Sequence, residues 1–157
     1  MAGIACSRLT YNQSDVFQQI ANWYQMEWKF PLETTLTRLA TITPLKDQFQ
    51  LVMTRDGVPI GTAGVYNNVR ILEKIPRLKI YTYWLALVYT IPTERGKGFG
   101  ALLCKNVEEE AKKEGITKLH LYTDTAESLY KRCGWQVLER MEVESRNIVV
   151  MEKNLAR

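Results

Sequence analysis

Residues 84–103 read WLALVYTIPTERGKGFGALL, and this stretch decides both the fold and the ligand. An apolar run rich in aromatic and β-branched residues ends at Pro92, and a Gly-rich turn then leads into a helical pattern. The first N–H groups of a helix have no partner within the helix, and the helix dipole favours negative charge there. Glycines let a phosphate approach the backbone, while Arg95 and Lys97 add positive charge. The pattern therefore predicts a bound pyrophosphate.

Several kinds of turn have this composition. A Walker-type phosphate loop requires G-x-x-x-x-G-K-S/T, which the chain lacks. Gly96-x-Gly98-x-x-Ala101 fits the dinucleotide fingerprint, and Asp124 follows at the distance of a ribose-binding acid. Only 33 residues (157 minus 124) follow Asp124, too few to complete a doubly wound sheet. An ordinary strand-to-helix turn without a ligand remains the other alternative.

Two motifs in the chain are similar to those of the GNAT superfamily of N-acetyltransferases. Arg95-x-x-Gly98-x-Gly100 resembles the coenzyme A motif Q/R-x-x-G-x-G/A of that family. The later segment 126–135, AESLYKRCGW, resembles its A-x-x-L/F-Y-x-x-x-G-F/Y/W segment. The two motifs stand in the family's order, one strand and one helix apart, so their joint match is specific.

The resemblance implies an α+β fold with a mixed, mostly antiparallel central sheet and helices on both faces. It also implies that two strands part in a V and that acetyl-CoA, the acetyl donor, binds in the gap. Pantetheine would then pair with the backbone of the strand before the turn, and the pyrophosphate would lie on the turn. The implied coenzyme-binding residues are Val88, Tyr89, Thr90, Arg95, Gly96, Lys97, Gly98, Phe99 and Gly100.

The same resemblance places Tyr130 at the family's general-acid position, where a phenol can protonate a thiolate leaving group. Thr123 stands where the family usually has Asn, which puts the ordinary contact at that position in doubt. The base that accepts the proton of the amine is less clear, because the strand before the turn carries no acid. His120, Glu27, Asp124 and ordered water are the alternatives, and we take His120 and Glu27 as the named candidates.

Hydrophobic periodicity and turn residues predict the order of the elements. Asn12 or Ser14 starts an amphipathic helix that Pro31 interrupts, and Asp56-Gly57 marks a hairpin. The segment 67–77 is predicted to be a polar, irregular loop. Strands are predicted over 4–9, 49–53, 58–66, 79–91, 119–123, 135–142 and 147–154, and further helices over a short segment with Leu36, Leu39 and Ala40, over 99–115 and over 126–133.

Length and composition agree with a small enzyme: 157 residues, 46% hydrophobic, predicted as one N-acetyltransferase domain over 1–157. No apolar run has the length of a membrane span and the start of the chain lacks a signal peptide, so we expect a cytoplasmic protein. Cys6, Cys104 and Cys133 form no zinc or disulfide pattern, and no metal site is expected. The net charge of +4 comes without a nucleic-acid recognition motif.

The acceptor is read from the region around the first helices, which concentrates Trp23, Tyr24, Trp28 and Phe30. These aromatics are either core residues or a lid over an amine. We expect transfer of the acetyl group to a primary amine by direct attack, and we favour a small-molecule acceptor. The alternatives are a protein N-terminus or lysine as acceptor, or a non-catalytic acyl-CoA-binding module. A homodimer is left open.

Overall fold

The computed structural model describes residues 3–156, which form seven strands and five α-helices. The strands are β1 Ile4–Arg8, β2 Phe49–Arg55, β3 Val58–Tyr66, β4 Trp84–Thr90, β5 Lys118–Thr123, β6 Gln136–Val143 and β7 Arg146–Asn154. The helices are α1 Ser14–Trp28, α2 Leu32–Ile42, α3 Ile71–Lys74, α4 Phe99–Lys113 and α5 Glu127–Arg132, with 3₁₀ turns at Pro76–Ile80 and Pro92–Glu94.

All seven strands form one open sheet in the order β1-β2-β3-β4-β5-β7-β6. Every neighbouring pair is antiparallel except β4 and β5, which are parallel. A parallel connection needs a crossover, and α4 supplies it between β4 and β5. The mixed, mostly antiparallel sheet predicted from the sequence is confirmed.

Helices cover both faces of the sheet. On one face, the apolar stripe of α4, with Phe99, Leu103 and Val107, packs against inward-facing residues of β2, β3, β5 and β7. On the other face, α1 and α2 pack over Val52 and Tyr89. The segment after β3 covers Trp84 and Val150 on that same side. Both faces of the central strands are therefore buried, and β2 is buried along five consecutive residues.

Two local predictions were wrong. The segment 67–77 is not an irregular loop, because Ile71 and Leu72 bury themselves on a short helix and Leu78 follows on a 3₁₀ turn. The strand predicted over 79–91 begins only at Trp84. Leu78 is fully buried in the small core around Trp84, so the chain turns inward there before the strand starts.

Candidate functional site

The central feature of the site is a gap between β4 and β5. These parallel neighbours share a single register pair, Trp84 with His120, where the His120 N–H donates to the Tyr83 carbonyl at 2.9 Å. No further pair joins the two strands within the described residues. Beyond Trp84 the strands separate, which leaves the backbone of β4 unpaired on the side that faces β5. An unpaired strand edge is able to bind an extended ligand through its amides.

Strand alternation shows which groups of β4 face this gap. Ile91 donates its N–H to Ile60 of β3 at 2.9 Å, and Tyr89 lies opposite Thr62 of β3 in the same register. The backbone groups of Tyr89 therefore point towards β3. The Thr90 N–H and the Val88 carbonyl point the other way, into the gap. Of the three predicted strand residues, Val88 and Thr90 thus offer the gap a backbone group, whereas Tyr89 pairs with the sheet.

A bulge bends β4 in the middle of the gap. Leu87 has a φ of 60°, a left-handed conformation that costs a non-glycine residue about 1–3 kcal/mol. The Tyr24 hydroxyl holds this conformation by donating to the Leu87 carbonyl at 2.6 Å. Gln50 in turn donates to the Tyr24 hydroxyl at 2.9 Å and to Thr62 at 2.7 Å. This buried network fixes the bulge, and burial raises the pKa of Tyr24 so that its hydroxyl stays protonated.

The Gly-rich turn lies at the carboxyl end of β4, which is the open end of the gap. From residue 96 to residue 101, no backbone N–H donates to another group in the described part of the chain. Gly96 and Gly98 have φ values of 77° and 85°, and a Cβ at either would enter open space. A run of unpartnered donors at the start of a 15-residue helix, with no side chain above it, is suited to a phosphate.

The two cations of the turn contact protein groups. Arg95 donates through Nε to the Thr90 carbonyl at 2.7 Å and through an Nη to Glu27 at 3.1 Å. Lys97 pairs with Glu94 at 3.1 Å, and Arg55 pairs with the same carboxylate at 2.8 Å. Arg95 therefore fastens the turn to the end of β4 and to α1, while the backbone supplies the free donors.

The model of the Acetyltransferase (GNAT) family matches residues 17–135, which is more than half of the chain. The chain belongs to the GNAT family of acetyltransferases. A search of curated proteins finds no match.

Solved structures show the GNAT fold over nearly the whole chain, at low sequence identity. One is yncA from Salmonella typhimurium, described as an acetyltransferase with its cofactor acetyl-CoA (18% identity, 98% of this chain and 95% of that chain, TM-score 0.73). Another is the aminoglycoside 6'-N-acetyltransferase from Enterococcus faecium (11% identity, 98% of this chain and 98% of that chain, TM-score 0.77). A third is the ribosomal-protein-S18-alanine N-acetyltransferase from Escherichia coli (13% identity, 98% of this chain and 95% of that chain, TM-score 0.71).

Tyr130, which matches the GNAT general-acid position, lies on α5 directly after β5, the strand that forms the other arm of the gap. Its ring meets the Trp135 ring edge-on at 6.1 Å, and its hydroxyl lies beside the Cys104 thiol of α4. Burial raises the pKa of Tyr130 well above its usual 10 and that of Cys104 to about 12. Both groups therefore stay protonated at neutral pH.

The two candidate bases lie at opposite ends of the gap. His120 is at the closed end, stacked on Tyr81 at 4.1 Å between ring centroids, with Nε2 bonded to Glu152 at 2.8 Å. It lines a cavity of about 400 Å³ on the far side of the Trp84–His120 pair. Glu27 is at the open end, where Arg95 binds its carboxylate. The structure therefore does not bring His120 and Glu27 together.

A second, smaller cavity of about 10 Å³ adjoins the bulge. It shares no lining residue with the His120 cavity. Of the four predicted aromatics, Tyr24 and Phe30 line it, whereas Trp28, 37% exposed, contacts the Phe30 ring at 6.0 Å and Trp23 stacks on Tyr89. Its lining consists of Tyr24, Phe30, Thr34, Thr35, Arg38, Tyr66 and Leu87. Nothing in the sequence pattern indicated that Arg38 and Tyr66, on different elements, meet here.

The described residues contain no helix with the length and apolarity of a membrane span. In residues 3–156, no group of three or more His, Cys, Asp or Glu side chains is arranged to hold a metal ion.

Proposed function

We propose that the chain transfers the acetyl group of acetyl-CoA to a primary amine by direct attack, with the whole chain, 1–157, acting as one domain. The observation that carries this proposal is the gap between β4 and β5, which ends at unpartnered amides over residues 96–101. The unpaired edge of β4 suits the amides of pantetheine, and the free N–H groups of the turn suit the pyrophosphate to which pantetheine is attached.

The residues present fit this coenzyme in two places. The open space over Gly96, Gly98 and Gly100 leaves room for a pyrophosphate against the backbone N–H groups. The Val88 carbonyl and the Thr90 N–H are an acceptor and a donor, which is what an amide of pantetheine pairs with. When bound, acetyl-CoA supplies an activated acetyl thioester.

Tyr130 is proposed as the acid that gives a proton to the leaving thiolate. The raised pKa keeps its proton available, and the helix that carries it follows β5, which is one arm of the gap. Tyr24 holds the bulge in β4 in one conformation, so the backbone next to the proposed reacting groups is fixed before they bind. A preorganised backbone costs no rearrangement during the reaction.

The base is proposed to act through water. His120 lines a separate cavity and its reachable nitrogen already bonds to Glu152. Glu27 is the better placed of the two predicted residues, because it lies at the open end of the gap, but its carboxylate is shared with Arg95. A water chain from the cavity at Leu87 would remove the amine proton without a dedicated side chain.

The acceptor is proposed to be a small molecule that binds at the mouth of the cavity beside the bulge, since the cavity itself, at about 10 Å³, has room for no more than a water molecule. The solved relatives do not choose between acceptors, because one acetylates an aminoglycoside and another a ribosomal-protein alanine. We expect cytoplasmic action, where acetyl-CoA is available.

Ligand-induced stabilisation tests the coenzyme assignment. A ligand at about 100 times its dissociation constant stabilises the native state by about 2.7 kcal/mol, which raises the Tm of a chain of this size by about 5–10 °C. We expect this shift with acetyl-CoA and none with NAD. A shift with NAD alone would show that the turn is a dinucleotide site instead.

A further inference from the structure

The cavity beside the bulge has an unusual balance of charge. Arg38 lines it, with its guanidinium 5.4 Å from the centroid of the Tyr66 ring. Within residues 3–156, Arg38 makes no ion pair and no side-chain hydrogen bond. No acidic residue belongs to the lining of this cavity. The cavity is therefore cationic, and the donors of Arg38 are unused by the protein.

A second arginine lies on the rim. The Arg70 guanidinium is 5.7 Å from the centroid of the ring of Phe30, which itself lines the cavity. Arg70 also forms no ion pair with the described residues. Burial raises the pKa of Tyr122, and the guanidinium groups of Arg70, Arg146 and Arg38 oppose this rise, so all three lie within electrostatic reach of that hydroxyl on the β5 arm. The two arginines thus converge on one region from α2 and from the start of α3.

The nearby carboxylates are already engaged. Asp124 pairs with Arg146 at 2.6 Å, and Glu144 pairs with Lys74 at 2.9 Å. Arg70 also attracts the Glu144 carboxylate and helps to lower its pKa, but that carboxylate already pairs with Lys74. Arg38 and Arg70 therefore add two positive charges beyond those of the two ion pairs. Two uncompensated guanidinium groups repel a polycation and attract an anion. In the absence of a ligand they rest on aromatic rings, where cation–π contacts are weak enough to exchange.

We propose that the amine acceptor carries an anionic group, a carboxylate or a phosphate, that Arg38 and Arg70 bind at the mouth of this cavity. This inference rests on the proposed acetyl transfer and names the class of its acceptor. Arg presents its N–H donors as a planar fork that matches both anions. The amine would enter towards the bulge at Leu87, and the anion would stay between the arginines. Polycationic amines such as aminoglycosides are excluded as good acceptors.

Matched acceptors test the charge directly. We would compare an amino acid, its primary amide and the phosphate monoester of an amino alcohol of similar size, each on the plateau of its own pH profile. At those plateaus each amine is fully neutral, so the comparison no longer depends on how much of the amine is protonated. We expect kcat/KM to be about 10- to 100-fold higher for the anionic members. The carboxylate and phosphate arms show which anion fits better. An equal or faster reaction of the amide or of a polyamine would overturn the inference.

Variants locate the effect. Arg38→Gln and Arg70→Gln should each raise KM for the anionic amine about tenfold or more, with KM for acetyl-CoA unchanged. Arg38→Lys should restore part of the loss, because it keeps the charge without the fork. Arg77→Gln is the matched control, since it removes the same charge from an exposed arginine paired with Glu139, away from the cavity. A loss in the control equal to that in Arg38→Gln would contradict a local site.

The anion site can also be tested by binding alone if no amine is acetylated. In that case acetyl transfer fails, and binding of the same three amines in the presence of coenzyme A is measured by thermal shift. Stabilisation by the anionic amine that disappears in Arg38→Gln would support the anion site by itself. Equal binding of amide and acid, or binding that survives in Arg38→Gln, would overturn it.

Discussion

Gly98 and Gly57 have almost the same backbone conformation, with φ values of 85° and 84°, and a Cβ at either meets no atom within 4 Å. They differ only in location, because Gly98 caps α4 in the turn and Gly57 lies in the β2–β3 hairpin. Asn is the residue other than Gly that best tolerates this conformation. The same substitution at Gly98 and at Gly57 causes similar backbone strain, but only at Gly98 does the new side chain occupy the space proposed for the ligand.

Gly98→Asn should raise KM for acetyl-CoA at least about tenfold, because the new side chain occupies the space over the free amides. Gly57→Asn should cost similar stability, about 1 kcal/mol or less, and leave KM unchanged. Steady-state kinetics and thermal melts of both variants provide the measurement. Equal KM values in Gly98→Asn and the parent would show that the phosphate does not lie on this turn.

Tyr130→Phe keeps the ring that packs on Trp135 and removes only the hydroxyl. If the hydroxyl protonates the leaving thiolate, kcat should fall about 10²–10⁴-fold with little change in acetyl-CoA affinity. Since burial raises the Tyr130 pKa, the parent should also show no loss of kcat from its ionisation up to about pH 10. Tyr11→Phe, at a position 81% exposed, is the control. Near-normal turnover in Tyr130→Phe would remove this residue from the mechanism.

Among the elements, the junction of β4 and β5 combines the closed end of the gap with the only histidine of the chain. Burial lowers the pKa of His120 below 6.5, and this effect exceeds the opposing influence of the Glu152 carboxylate. The folded chain therefore releases the His120 proton more readily than the unfolded chain does. The stability linked to this group is complete above pH 6.5 and is lost as the pH falls below it.

We expect the free energy of unfolding to decrease between pH 7.5 and pH 5.5, with a slope of at most about 1.4 kcal/mol per pH unit. His120→Gln should flatten this slope, whatever it does to the stability at pH 7.5. Urea denaturation at several pH values measures both. The window is separate from that of Glu127, whose pKa the Arg140 and Lys131 side chains lower to about 2. An unchanged slope in His120→Gln would contradict a buried, neutral His120.

The elements also show which local features the sequence predicts well. Strong signals, such as the Asp56-Gly57 turn and the stripe of α4, correspond to the hairpin and the helix that form. Segment 67–77 was misread because its polar residues outnumber Ile71 and Leu72, whose burial depends on the distant Trp84 and Val150. Tertiary contacts, which periodicity does not contain, decide such short helices.

At the scale of the whole molecule, the Gly-rich turn before α4 could be predicted from the sequence, whereas the residues that meet beside the bulge could not. The residues of the turn are contiguous in the sequence, so their spacing alone predicts a run of free N–H groups before α4. The cavity beside the bulge is assembled from α1, α2, β3 and β4, and its charge comes from Arg38, with Arg70 against the Phe30 ring; these residues stand apart in the sequence. Gln50 is a polar residue between apolar neighbours in β2, yet it is fully buried in the network that fixes the bulge. Only the fold brings these residues together.

The most direct test of the account is the release of free coenzyme A from acetyl-CoA in the presence of an amine panel, with the acetylated amine identified by mass spectrometry. We predict release that depends on the amine, equals the acetylated product in amount and is reduced by Gly98→Asn and Tyr130→Phe but not by Gly57→Asn or Tyr11→Phe. Tight binding of acetyl-CoA with no amine-dependent release would contradict it and would make the chain an acyl-CoA-binding module.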